Sequence, residues 1–189
     1  KPKKIQWHNI DRLMAYDLSP FDETLLLDSD YIIQNSVLGE VWGNNNPMLM
    51  NTSTKLPAKP QLHVTENVVA DGFPRVHWFT VMYFKKCTET EQWFEFAKFV
   101  KENHSFYKKT FRSPYHYYRN DVTAAIASHI IGGFEDGYMK PLPVRQINSY
   151  PPEQILQLDY GKIVLQTDDY PVLLKDTNVH LINKGEIEK

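Results

Sequence analysis

The chain holds one cysteine, Cys87, so no internal disulfide can form. Cysteine used this sparingly suits a reducing compartment, and a cytoplasmic location is the expectation. Long apolar runs are also missing, and no stretch approaches the roughly 18 consecutive apolar residues that a membrane-crossing helix needs. The basic start Lys1-Pro2-Lys3-Lys4 leads into no apolar run either, so it does not read as a signal peptide. Charge of one sign is not in excess: a formal net charge of −2 gives no general attraction to nucleic acid. Lys85-Lys86, Lys108-Lys109, Arg112 and Arg119 could still form a local basic face, although each pair also reads as solvated surface.

What is present suits a globular protein. A length of 189 residues allows one domain with a substantial core, and shares of 42% hydrophobic and 23% charged residues are not those of a disordered chain. Periodicity predicts a short helix over residues 9–18, ended by Ser19-Pro20, and a strand over residues 24–27. Residues 43–74 are polar and proline-rich and read as a long loop. Residues 76–84, dense in β-branched and aromatic side chains, predict a central strand. Trp93, Phe96, Ala97 and Val100 recur at helical spacing within residues 91–103. The aromatic cluster from Phe106 to Tyr118 could stack on sugars or bases, or pack under a loop. Asn120 suits a helix N-cap before Val122, Ala125, Ile126 and Ile130, and Gly132-Gly133 should end that helix. Short strands such as residues 162–166 are expected toward the C-terminus.

The stretch that carries most chemistry is Leu25-Leu26-Leu27-Asp28-Ser29-Asp30. Three leucines in a row imply a strand buried on both faces, as in a parallel α/β sheet, where ligands gather at the strand ends. If the strand persists through Asp30, the two carboxylates point the same way and can face one hard divalent cation. Asp, Ser and Asp are equally what an ordinary strand-to-turn junction contains.

Arg12-Leu13-Met14-Ala15-Tyr16-Asp17-Leu18-Ser19-Pro20-Phe21-Asp22-Glu23-Thr24-Leu25-Leu26-Leu27-Asp28-Ser29-Asp30, read as one block, resembles the core of GT-A-fold glycosyltransferases, particularly their glycogenin-like and galactosyltransferase-like group. In that group a basic residue precedes a strand ending in Asp-x-Asp, and the pair holds a metal that holds the diphosphate of a nucleotide sugar. Tyr118-Arg119-Asn120-Asp121-Val122-Thr123-Ala124-Ala125-Ile126-Ala127 resembles the acidic motif opening a helix beside the sugar. Asn178-Val179-His180-Leu181-Ile182-Asn183-Lys184 resembles the terminal histidine motif. Order and spacing agree from Arg12 to Lys184.

The resemblance implies a single GT-A-like domain over residues 1–189, an α/β fold with a mixed sheet flanked by helices. It implies metal ligands at Asp28, Asp30 and His180, a catalytic role for Asp121, and donor binding by Arg12, Ser29, Asn120 and Lys184. Imidazole beside two carboxylates favours Mn²⁺ over Mg²⁺. The implied donor is a nucleotide sugar, a UDP-sugar foremost, and the acceptor a glycan, a protein or a modified DNA base. One departure stands out: the family places a nucleotide-binding βαβ region before its Asp-x-Asp, and the stretch before Asp28 is too short for it. The expectation is therefore the C-terminal part of a longer catalytic domain. Two other readings use the same residues. A metal-dependent phosphodiesterase or nuclease would want further ligands for a second metal, and a non-catalytic binding protein could keep a degenerate transferase fold.

Overall fold

The computed structural model describes residues 11–57, 59–64, 74–135, 137–150 and 153–182. Parts of the expected first helix and long loop, and Lys184, lie outside them. In chain order, a 3₁₀ turn Arg12–Met14 runs into α1 (Ala15–Leu18), followed by β1 (Glu23–Leu27) and β2 (Tyr31–Ile32). Three strands come next: β3 (Met48–Asn51), β4 (Thr54–Leu56) and β5 (Lys59–Val64). The middle holds β6 (Trp78–Lys85), α2 (Thr88–Glu102), α3 (His104–Thr110) and α4 (Asn120–Ile131). The last part is all strand: β7 (Ile147–Ser149), β8 (Gln154–Asp159), β9 (Lys162–Gln166), β10 (Pro171–Lys175) and β11 (Val179–Leu181). The fold class is mixed α/β.

β6 is the spine. Its sequence, rich in aromatic and β-branched residues, is buried from Trp78 to Phe84 because each face meets a different core. Met82 and Phe84 face a cluster built with Trp93, Phe94 and Ala97 of α2 and Ala124 to Ala127 of α4. Val81 and Tyr83 face a second cluster with Tyr31, Leu38, Val41 and Leu49. Trp93 joins the two helices directly, its indole N–H donating to Ser128 Oγ at 3.0 Å in the buried core.

β1 and β3 flank β6, and both pairings are antiparallel. The expectation of a parallel sheet around the leucines is corrected here. Leu26 packs toward the helices while Leu25 and Leu27 pack toward the second cluster, so the run does serve two faces. An apolar run reports two-sided burial and carries no information on the direction of its neighbour.

The parallel pairings occur in a second sheet, ordered β2-β11-β7-β4-β5, in which β7 runs parallel to β11 and to β4. Between β7 and β11 the chain makes the antiparallel meander β8-β9-β10, the crossover that a parallel pair requires. Ile163, Leu165 and Leu174 of the meander close a third core against Ile147, Val179 and Leu181. The predicted loop over residues 43–74 is also corrected, since β3, β4 and β5 form within it. Gly132 ends α4 as expected, with Gly133 at φ +74°.

Candidate metal centre

The carboxylate pair is placed by a turn, not by strand alternation. Asp28 extends the β1 ladder by one bond, its amide donating to Thr80 O at 2.9 Å. The chain then reverses, with Tyr31 N donating to Asp28 O at 3.1 Å, so Asp28-Ser29-Asp30 is the bend between β1 and β2. The expectation that the strand runs on through Asp30 is thereby overturned. Convergence survives because β2 pairs with β11 in a register that sets Tyr31 opposite His180, and because Leu181 N donates to Asp30 O at 2.9 Å.

His180 Nε2 ends 3.2 Å from Asp30 Oδ1 and 3.9 Å from Asp28 Oδ2. One ligand atom from each of Asp28, Asp30 and His180 lies within 4.8 Å of the others. Neighbouring ligands on an octahedral ion, each at about 2.1 Å, stand about 3 Å apart. The His180 to Asp30 separation of 3.2 Å matches that spacing while the 3.9 Å to Asp28 is longer, and two carboxylates with one imidazole form a set that Mn²⁺ accepts.

The other face of the imidazole fixes its orientation. Nδ1 lies 3.3 Å from Asn148 Oδ1 and 3.4 Å from Thr80 Oγ1. Asn148, fully buried on β7, also receives a 3.1 Å bond from Gln146 Nε2, which sets its oxygen as the shared acceptor. With Nδ1–H donating to that oxygen, Nε2 would be left to offer its lone pair to a cation bound between it and the carboxylates.

Arg12 approaches from the 3₁₀ turn. Its guanidinium pairs with Asp28, donates to Thr80 O at 3.0 Å and lies over the Phe79 ring at 5.1 Å. Burial pushes the Asp28 carboxyl above the ordinary range, with Arg12 and then His180 pulling it back. Burial likewise lowers the Arg12 pKa against the attraction of Asp28 and Asp30, yet a guanidinium stays charged in any folded protein. The pair leaves the site with one excess negative charge if both Asp28 and Asp30 are ionised, which suits a cation.

These groups form one wall of a cavity of about 320 Å³. The start of α4 also lines it, with Asn120 and Asp121 beside Arg119. Arg119 grips both Asp121 oxygens, with Nε at 2.9 and 3.1 Å, and its guanidinium stacks 4.2 Å from the Tyr115 ring centroid. Asp121 Oδ1 also accepts from Val122 N at 3.0 Å. Asn120 is the first residue of the helix, Arg119 taking the N-cap position, and its Oδ1 accepts from Tyr118 Oη at 2.8 Å. The expected N-cap therefore shifts by one residue. Trp78, Tyr117 and Tyr150 supply aromatic lining.

Of the residues expected at the site, Arg12, Asp28, Asp30, Asn120, Asp121 and His180 all line this cavity. Ser29 sits exposed at the tip of the bend and is not among the lining residues. Sequence reasoning missed Asn148, Thr80 and Tyr150, and gave Arg119 no role of its own at the site. A signal for Asn148 did exist. Gln146, Asn148 and Tyr150 recur at spacing two, the period of a strand that turns one polar edge toward a site.

No protein-family model, curated protein or solved structure matches this chain. Among the described residues no helix is long and apolar enough to cross a membrane.

Proposed function

We propose that this chain is a metal-dependent glycosyltransferase domain of the GT-A-like class, which moves a sugar from a nucleotide-diphosphate donor to a hydroxyl acceptor. One observation carries the reading: Asp28, Asp30 and His180 meet within 4.8 Å on the wall of a cavity that Arg12 and Asp121 also line. Asp28, Asp30 and His180 would hold Mn²⁺ in preference to Mg²⁺. The ion would stabilise the negative charge that develops on the departing diphosphate.

The chain's own residues do the rest. Arg12 holds Asp28 in place and presents a guanidinium edge at the donor side of the cavity. Asp121, neutralised by Arg119, is a poor nucleophile and a good positioner: its remaining acceptor capacity orients donor or acceptor hydroxyls. Tyr117 and Tyr150 line the cavity as aromatic groups of the kind that pack on a sugar. Asn120 contributes a polar contact beside the donor, and the resemblance assigns Lys184 to the diphosphate. The donor is a UDP-sugar foremost, and the acceptor a glycan, a protein or a modified DNA base.

The test is nucleotide release from a panel of UDP-, GDP- and CMP-sugars with Mn²⁺, comparing the wild-type chain with His180→Ala. Release from one donor class that needs both metal and His180 supports the proposal. Turnover of a phosphodiester such as bis(p-nitrophenyl) phosphate, with none of any nucleotide sugar, would transfer the site to the phosphodiesterase reading.

A further inference from the structure

The parallel strands β7 and β11 carry the metal-centre residues toward one end, with Tyr150 and Ile182 bordering that cavity just past the strands. At the opposite end, where Ile147 begins β7 and Asn178 immediately precedes β11, lies a second cavity of about 420 Å³. Its lining is cationic. Lys55, Arg145 and Lys175 border it, and none of the three has an ion pair among the described residues.

Lys55 makes the cavity more than a basic surface. It sits inside β4, paired on both sides by β5 and β7, and the residue is only 6% exposed. Among the described residues its ammonium has no hydrogen-bond or ion-pair partner. Its Nζ is not among the buried side-chain atoms left without a partner, so a stem this deep carries the ammonium out to the cavity, where an anion can meet it. The one acid of the lining, Asp176, has its carboxylate against Gly161, where Oδ1 lies 3.0 Å from the place a Cβ would occupy. The rest of the wall is largely apolar, with Val37, Val144 and Leu173 among it.

We infer that this second cavity is a binding site for a small oxyanion, a phosphate or carboxylate that carries an apolar body. Lys55 supplies a counter-charge on a largely buried stem, Arg145 and Lys175 are the exposed attracting pair, and the aliphatic wall receives the apolar part. The inference is independent of the transferase reading, since it uses none of the metal-centre residues.

Phenyl phosphate and benzoate are the probes, titrated in buffer stripped of metal on a chelating resin and followed by amide shifts in two-dimensional NMR and by calorimetry. At least one should bind the wild-type chain, shift the Lys55, Ile147 and Asn178 amides, and bind Lys55→Met weaker by roughly tenfold or more, as loss of a charge-assisted hydrogen bond implies. Lys55→Met should fold, because it keeps the apolar length of a largely buried stem and removes only the charge that reaches the cavity. Arg145→Gln, an exposed change, should weaken binding less and tests the site independently. Which probe binds decides between phosphate and carboxylate. Absence of binding by both, or equal affinity in wild type and Lys55→Met, overturns the site.

Discussion

His180 Nε2 lies 3.2 Å from Asp30 Oδ1, and the backbone fixes the same pair, with Leu181 N donating to Asp30 O. Residues from nearly opposite ends of the chain are thus joined by both side chain and main chain. The carboxylate turn and the histidine strand cannot shift independently. This is the preorganisation that a metal site needs.

The outer support of His180 should be measurable as metal affinity. Asn148→Leu removes the acceptor that holds Nδ1–H, and Mn²⁺ affinity should fall about 10- to 100-fold. Asn148→Asp keeps an acceptor at the same place and should retain most of the binding. Mn²⁺ titration by electron paramagnetic resonance reads both variants, and equal affinity in Asn148→Leu and wild type would contradict the tautomer assignment.

The pH dependence of metal binding follows from the raised Asp28 carboxyl. Metal must displace that proton, so affinity is full above the folded pKa and is lost as pH falls through it. The loss should begin at higher pH than for an ordinary carboxylate. In the metal-free chain the same shift has the opposite sense for stability: its favourable contribution is present below the unfolded value and is lost as pH rises through the folded one. Mn²⁺ titrations across acidic pH check the first, and Asp28→Asn should remove that acid limb while weakening binding overall.

Breaking the Arg12 and Asp28 pair should cost stability as well as function. Both side chains are largely buried, at 9% and 17% exposure. Arg12→Met leaves the carboxylate without its guanidinium and should destabilise the metal-free chain by about 3 kcal/mol. The double variant Arg12→Met, Asp28→Asn should recover much of that loss. Urea denaturation of the two variants beside wild type measures it.

Away from the site, the end of α4 is sterically closed. A Cβ on Gly132 would meet Tyr138 Cβ at 2.8 Å and Ser128 O at 2.9 Å. Gly132→Ala should destabilise by about 1–3 kcal/mol through overpacking. Gly39→Ala, where a Cβ meets nothing within 4 Å, should lie within about 0.5 kcal/mol of wild type. Thermal unfolding of the pair separates them.

The parts of the fold legible in the sequence are those whose pattern is local. β6 announced itself through uninterrupted β-branched and aromatic residues, and α2 and α4 through helical spacing; their observed ranges lie close to those expected. β3, β4 and β5 were hidden because Met48-Leu49-Met50-Asn51 is buried throughout and shows no alternation, and because prolines punctuate the stretch. The short helix α3 was masked by its aromatic residues. At the site, Asp28, Asp30 and His180 were legible through resemblance, but the turn that aligns the carboxylates was not, since a strand and a bend read alike over three residues. Arg119's grip on Asp121 depends on the chain's path into α4, which spacing alone does not describe.

The central claim is tested most directly by calorimetric nucleotide binding with and without Mn²⁺, scanning UDP, GDP and CMP on the wild-type chain and on Asp28→Ala, Asp30→Ala. The account predicts one preferred nucleotide, UDP foremost, bound only with Mn²⁺ and lost in the double variant. Binding that is indifferent to metal and to both carboxylates, or Mn²⁺ bound equally well by the double variant, would contradict it.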